Sequence, residues 1–159
     1  MIKVKISKDT SKWQKVRKNL ASVNGNRVQT GWWGGSHPSG HPPAQIAKWG
    51  EEGHFTGWGG YSPPRPFITV GWLGAISLGK GVNIKKHLTN IVNGEGSIHT
   101  TLKRIAEESR ETMVKEIRDW TTPPNSQTTI DLKGFNDPLV ETGALMRSVE
   151  SRVVLNGES

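Results

Sequence analysis

Five side chains within residues 37–54 are of types that bind metals: His37, His41, Glu51, Glu52 and His54. On a helix, the His-x3-His spacing of His37 and His41 would bring two imidazoles to one ion. Pro38, Gly40 and Pro42 stand between and beside them, and a helix does not form through that run. These residues therefore read as loop polar groups or interface hydrogen-bonding groups, and no metal is expected. Covalent chemistry has equally little support. The chain holds no cysteine, and no Gly-x-Ser-x-Gly elbow presents a serine to a base. Gly79-Lys80-Gly81 and Gly94–Ser97 lack the spacing of a phosphate-binding loop. The pairs Glu51-Glu52 and Glu107-Glu108 are of a kind found in any charged loop or helix. The expectation is a protein with no catalytic residues and no cofactor.

Charge is the next feature that could act on a partner. The chain has 159 residues and a net charge of +7. Lys3, Lys5, Lys8, Lys12, Lys15, Arg17, Lys18 and Arg27 lie within the first 28 residues beside a single acid, Asp9. Acids and bases balance over the remainder, so the whole excess belongs to the N-terminal element. Such a patch attracts nucleic acid or an acidic protein surface, or it is a solvated face that keeps the chain soluble. No apolar run approaches the ~20 residues that cross a bilayer, and the start of the chain lacks the apolar stretch of a signal peptide. A soluble protein assembled in a reducing cytoplasm is expected, with no membrane partner.

Stepping along the chain, Ile2, Val4 and Ile6 alternate with lysines as in a strand with one covered face. Trp13, Val16 and Leu20 then recur at helical spacing, with Asp9, Thr10 or Ser11 as N-cap and Asn24-Gly25 as the stop. Asn26–Trp33 reads as a second strand. Residues 31–66 hold nine glycines, six prolines and four tryptophans but few charges. A disordered linker is usually charged or Ser-rich, so an ordered loop with aromatic anchors is expected, containing a short helix over Pro43–Trp49. Phe67–Trp72 is β-branched and aromatic and is assigned to a strand; Val82–Val92 is assigned to a short helix. Across Ser97–Trp120, Ile98, Leu102, Ile105, Ser109, Met113, Ile117 and Trp120 step by three or four and make one stripe of a long helix. Thr121–Asn136 is expected to be a hairpin-like excursion after a double proline, followed by a brief helix over Thr142–Ser148 and a strand over Glu150–Leu155. The fold class is α+β in a single domain, 1–159. A mainly antiparallel sheet packs on one long helix and a shorter N-terminal helix, and residues 31–66 form an extended loop.

Two segments carry a resemblance. The first comprises the strand at Val28–Trp33, Ala44-Gln45-Ile46-Ala47, Glu51/Glu52-Gly53-His54 and Pro63-Pro64-Arg65-Pro66-Phe67. The second comprises Thr122-Pro123-Pro124-Asn125, Thr128–Gly134, Pro138-Leu139, Glu141-Thr142-Gly143-Ala144-Leu145 and Ser148. In this order, with an amphipathic helix between them, they resemble the tail-completion or virion-morphogenesis proteins of tailed bacteriophages over roughly residues 26–155. Trp49-Gly50 and the Gly-Trp-rich stretch Thr56–Tyr61 depart from the family's pattern. The resemblance implies a structural protein of the virion neck or upper tail, assembled in the host cytoplasm and active in head-to-tail joining. It implies a homo-oligomeric ring, a hexamer, touching neighbouring neck and tail proteins and, non-specifically, genomic DNA in its lumen. Tail-terminator or head-closure roles and a DNA-binding accessory role are the alternatives.

The prolines around Arg65 fix φ near −65° and favour extended geometry before them. This run is expected to present Arg65 outward and to seat Phe67 in the core where a strand begins; the alternative is that it only stiffens that strand. The expected interface is Trp32, Trp33, Trp49, Trp58, Arg65 and Phe67, because aromatic residues and arginine dominate contact centres. Thr142 is expected to cap the turn that follows it.

Overall fold

The computed structural model describes residues 10–57, 59–95 and 97–156. Its elements in order are α1 (Ser11–Val23), β1 (Arg27–Gly31), α2 (Pro43–Glu52), β2 (His54–Phe55) and β3 (Tyr61–Ser62). A π-helical turn (Phe67–Trp72) then runs into α3 (Leu73–Ser77), followed by α4 (Ile84–Asn93), α5 (Ile98–Asp119), α6 (Gln127–Lys133), α7 (Ala144–Arg147) and β4 (Glu150–Val154). The class is α+β, with about 53% of the chain helical, so helices rather than sheet supply most of the framework. Among the described residues the strands form two small antiparallel pairs. β1 pairs with β4, Arg27 facing Val154 and Gly31 facing Glu150. β2 pairs with β3, His54 facing Ser62 and Phe55 facing Tyr61. The strand expected at residues 2–6 lies outside the described residues.

α5 organises the molecule. Ser97 caps it, its hydroxyl accepting from the Thr100 amide at 3.1 Å, and 22 residues give a rod of roughly 33 Å. Leu102, Ser109, Met113 and Ile117 of the expected stripe are buried, and Thr101, Ala106 and Thr112 widen it. Ile98, Ile105 and Trp120 are half-buried at its margin. Met113 and Ile117 meet Phe67, Ala47, Leu145 and Val149 in the main core, with Trp32, Trp72 and Leu139 packed around them.

The β1–β4 pair is fastened to this rod by hydroxyls. Thr30 Oγ1 lies 2.8 Å from Ser109 Oγ and 2.7 Å from Ser151 Oγ. Trp72 Nε1 donates to the Ser109 carbonyl at 3.2 Å. Buried polar groups are tolerated when partnered in this way, which explains a serine within an apolar stripe. On the other side of the rod, the buried His87 of α4 meets Glu108 of α5 at 2.8 Å.

Two expectations about local structure are corrected. Phe67–Trp72 is helical, not a strand. Its β-branched residues suit a strand, but strand preference yields to tertiary context. Here a carboxylate from α2 binds the amides that open the turn, as described below. The stretch Thr121–Asn136 is not hairpin-like, because Gln127–Lys133 forms α6. Ser126 caps it by accepting from the Thr129 amide at 3.3 Å, and Gly134 ends it at φ 80°.

Candidate interface groove

The site is built from the junction between α2 and the segment that follows it. α2 starts at Pro43, a favoured first-turn residue, and buries Ala47. It ends at Gly53, where φ is 75°. A β-carbon there would lie 2.7 Å from Tyr61 Oη, 2.8 Å from the Ser62 carbonyl oxygen and 2.9 Å from Pro64 N. The chain therefore doubles back tightly only because this residue is glycine.

Just before it, Glu51 reaches across to the π-helical turn. Its Oε2 accepts from the Ile68 amide at 2.8 Å, and its Oε1 accepts from the Thr69 amide at 3.0 Å and from the Thr69 hydroxyl. An anion at the first amides of a helical segment satisfies donors that have no partner within the segment. Glu51 is thus a capping residue, a role that its neighbour Glu52, exposed and 3.9 Å from Lys48, does not share.

Arg65 points inward, contrary to the expectation that it faces outward. It is only 6% exposed. Its Nε donates to the Pro123 carbonyl at 3.1 Å and Nη1 to Ser62 Oγ at 3.0 Å. Nη2 donates at longer range to the Pro124 carbonyl (3.4 Å) and Asn125 Oδ1 (3.5 Å). Its own amide donates to the Gly50 carbonyl at 2.8 Å. The reason is chemical: prolines leave carbonyls without neighbouring N–H groups, and a forked guanidinium can satisfy several at once. Burial lowers the Arg65 pKa from its usual value. The Pro63–Phe67 run is thereby bonded to Thr122–Asn125, nearly sixty residues away.

Between these segments lies an open groove of about 630 Å³. Trp49, His54 and Tyr61 form one wall, and Thr129, Leu132 and Lys133 of α6 form the other. Trp49 is held between two imidazoles. His41 meets it edge-on at 4.8 Å and His54 stacks on it at 5.2 Å. His37 is buried at one end, its Nδ1 accepting from the Ser39 amide at 3.2 Å. Burial draws the Lys133 pKa down, its Nζ donates to the Asp137 carbonyl at 2.9 Å, and the ammonium lies 5.0 Å from the Phe135 ring centroid.

Apolar side chains stand exposed on both walls: Tyr61 is 55% and Leu132 84% exposed. Phe55, 81% exposed, stands beside the groove rather than in its lining. Phe55 and Tyr61 lie side by side with ring centroids 5.2 Å apart.

The structure sorts the expected interface residues into different places. Phe67 is fully buried in the core. Trp32 is half-buried against it at 6.2 Å and donates to the Leu145 carbonyl at 3.1 Å. Trp33 is exposed beneath the Arg152 guanidinium at 4.4 Å. Trp49 lines the groove and Arg65 lies beneath it, while Trp58 is outside the described residues. Of the basic set, Lys12, Lys15, Arg17 and Lys18 are exposed on α1 and Arg27 is exposed on β1; Lys3, Lys5 and Lys8 lie outside the described residues. Thr142, expected to be the N-cap, instead precedes it: Gly143 caps α7 at φ 72° without a side-chain bond, and Thr142 Oγ1 accepts from the Ala144 amide at 3.3 Å.

The exposed groove residues Tyr61 and Leu132 and the capping role of Glu51 were not anticipated. Ser126 and Gly134 bracketing residues 127–133 would have revealed α6, and through it the second wall. No family model matches this chain, and neither does any curated protein or solved structure.

Proposed function

We propose that this chain is a structural protein of the neck or upper tail of a tailed bacteriophage, forming an oligomeric ring that takes part in joining head to tail. One observation supports the reading best. The two segments that resemble the tail-completion family, remote in sequence, close on one another through Arg65 and line a single groove with apolar rims. Glu51 and Arg65 commit their polar groups to internal bonds and Gly53 permits the tight turn beside them, so their task is to shape the groove walls, and Tyr61 and Leu132 are the exposed groups left for a partner. Rigid walls with exposed aromatic and aliphatic anchors suit contact between protein chains. A ring contact is heterologous and joins two different patches; the groove with its rims is one of them.

The test is complementation in the phage that encodes the chain, with Tyr61→Ser/Leu132→Ser as the sole source of the protein. The variant folds as the parent by circular dichroism, and infected cells accumulate unjoined heads and tails. Parental yields of joined particles from this variant would overturn the proposal.

A further inference from the structure

We infer that α1 and α4 together form a composite cationic surface that binds the phosphate backbone of nucleic acid. The N-terminal charge excess is visible in the sequence. The structure adds that a second acid-free segment packs beside it. Asn19 of α1 donates to the Ile91 carbonyl of α4 at 2.9 Å. A β-carbon on Gly94, which ends α4 at φ 76°, would lie 2.6 Å from Lys15 Cε, so the lysine stem crosses the end of that helix. No aspartate or glutamate occurs between Thr10 and Gly50, or between Gly53 and Gly94.

The lobe thus carries Lys12, Lys15, Arg17 and Lys18 on one helix and Lys85 and Lys86 on the next, all exposed. Among the described residues no ion pair engages any of these six. On α5, by contrast, Lys115 and Arg118 are both bonded to Asp119. α1 buries no residue, so its contribution to the core does not account for its sequence.

Like charges gathered on two packed helices repel one another. A linear polyanion relieves that repulsion and releases its own condensed counterions, which makes phosphate the favoured partner. Trp13, Leu20, Ile84 and Leu88 are also exposed here, by 40% to 64%. Charge decides the partner: six cations outside any ion pair among the described residues favour a polyanion over a protein surface. Trp13 stands one turn before Arg17, so an aromatic face accompanies the cations.

The experiment uses the full chain and a labelled duplex DNA of arbitrary sequence, with fluorescence anisotropy read across a salt series. Six phosphate contacts predict a slope of about −5 in log affinity against log salt. Lys85→Gln/Lys86→Gln shallows that slope by about 2. Lys115→Gln/Arg118→Gln, which removes the same two charges from α5, leaves it unchanged. An equal effect of both variants would show attraction to overall charge and overturn the composite surface, as would no effect of the α4 variant. Binding to poly-glutamate or anionic vesicles without binding to duplex DNA would overturn the choice of phosphate backbone. The readout needs no phage particle, so it stands or falls separately from the proposed role in the neck.

Discussion

Arg65 is the residue whose chemistry most shapes the site, because no carboxylate among the described residues pairs with this buried cation and dipoles satisfy it instead. Its fork fits the Pro123 and Pro124 carbonyls and the Ser62 hydroxyl. Lysine offers a point charge and no fork. Arg65→Ala is expected to cost about 2–4 kcal/mol, since it leaves buried acceptors unpaired. Arg65→Lys should recover only part of that, both read from urea unfolding. Gly53 makes a sharper contrast with a neighbour of the same type. Gly53→Ala forces a β-carbon against backbone atoms at 2.8 and 2.9 Å in a left-handed conformation, and a loss of about 2 kcal/mol or more is expected. Gly57→Ala meets nothing within 4 Å and should lie within about 0.5 kcal/mol of the parent.

At the scale of elements, what was legible in the sequence depended on whether an element is stabilised by its own residues. The apolar stripe from Leu102 to Ile117 and the Ser97 cap both lie within α5, and the periodicity located the helix. The turn Phe67–Trp72 is different. Its stabilising partner is Glu51, seventeen residues earlier, and local preference at Ile68, Thr69 and Val70 pointed to a strand. Arg65 likewise turned inward because of carbonyls that no local pattern reveals. Met113→Ala, at the centre of the core, is expected to cost about 2–5 kcal/mol. Trp13→Ala on α1, where the side chain is 64% exposed, should cost less than about 0.5 kcal/mol. The end of α5 gives a pH prediction. Hydrogen bonds from Lys115 and then Arg118 hold the Asp119 carboxyl below its usual pKa. A depressed carboxylate contributes stability above its unfolded pKa, and that contribution disappears as acid protonates it. Thermal melts of Asp119→Asn should therefore lose part of the parent's fall in stability below about pH 4. The difference should be small, because the group is exposed and screened by salt.

For the molecule as a whole, α5 acts as a spine with two distinct surfaces built on it. One is the groove, whose walls come from α2, the β2–β3 hairpin and α6, and whose geometry is fixed by Glu51, Gly53 and Arg65. The other is the cationic lobe of α1 and α4, attached to the spine through His87 and Glu108. Among the described residues no helix is long and apolar enough to cross a membrane. The central claim is that the groove with its apolar rims is covered by another protein chain in an assembled particle. Electron cryomicroscopy of the virion, with this chain traced in the map, tests it most directly. The account predicts protein density from a second chain against Tyr61 and Leu132 at the junction of head and tail. A map in which those side chains face solvent, or a particle that does not contain the chain, would contradict it.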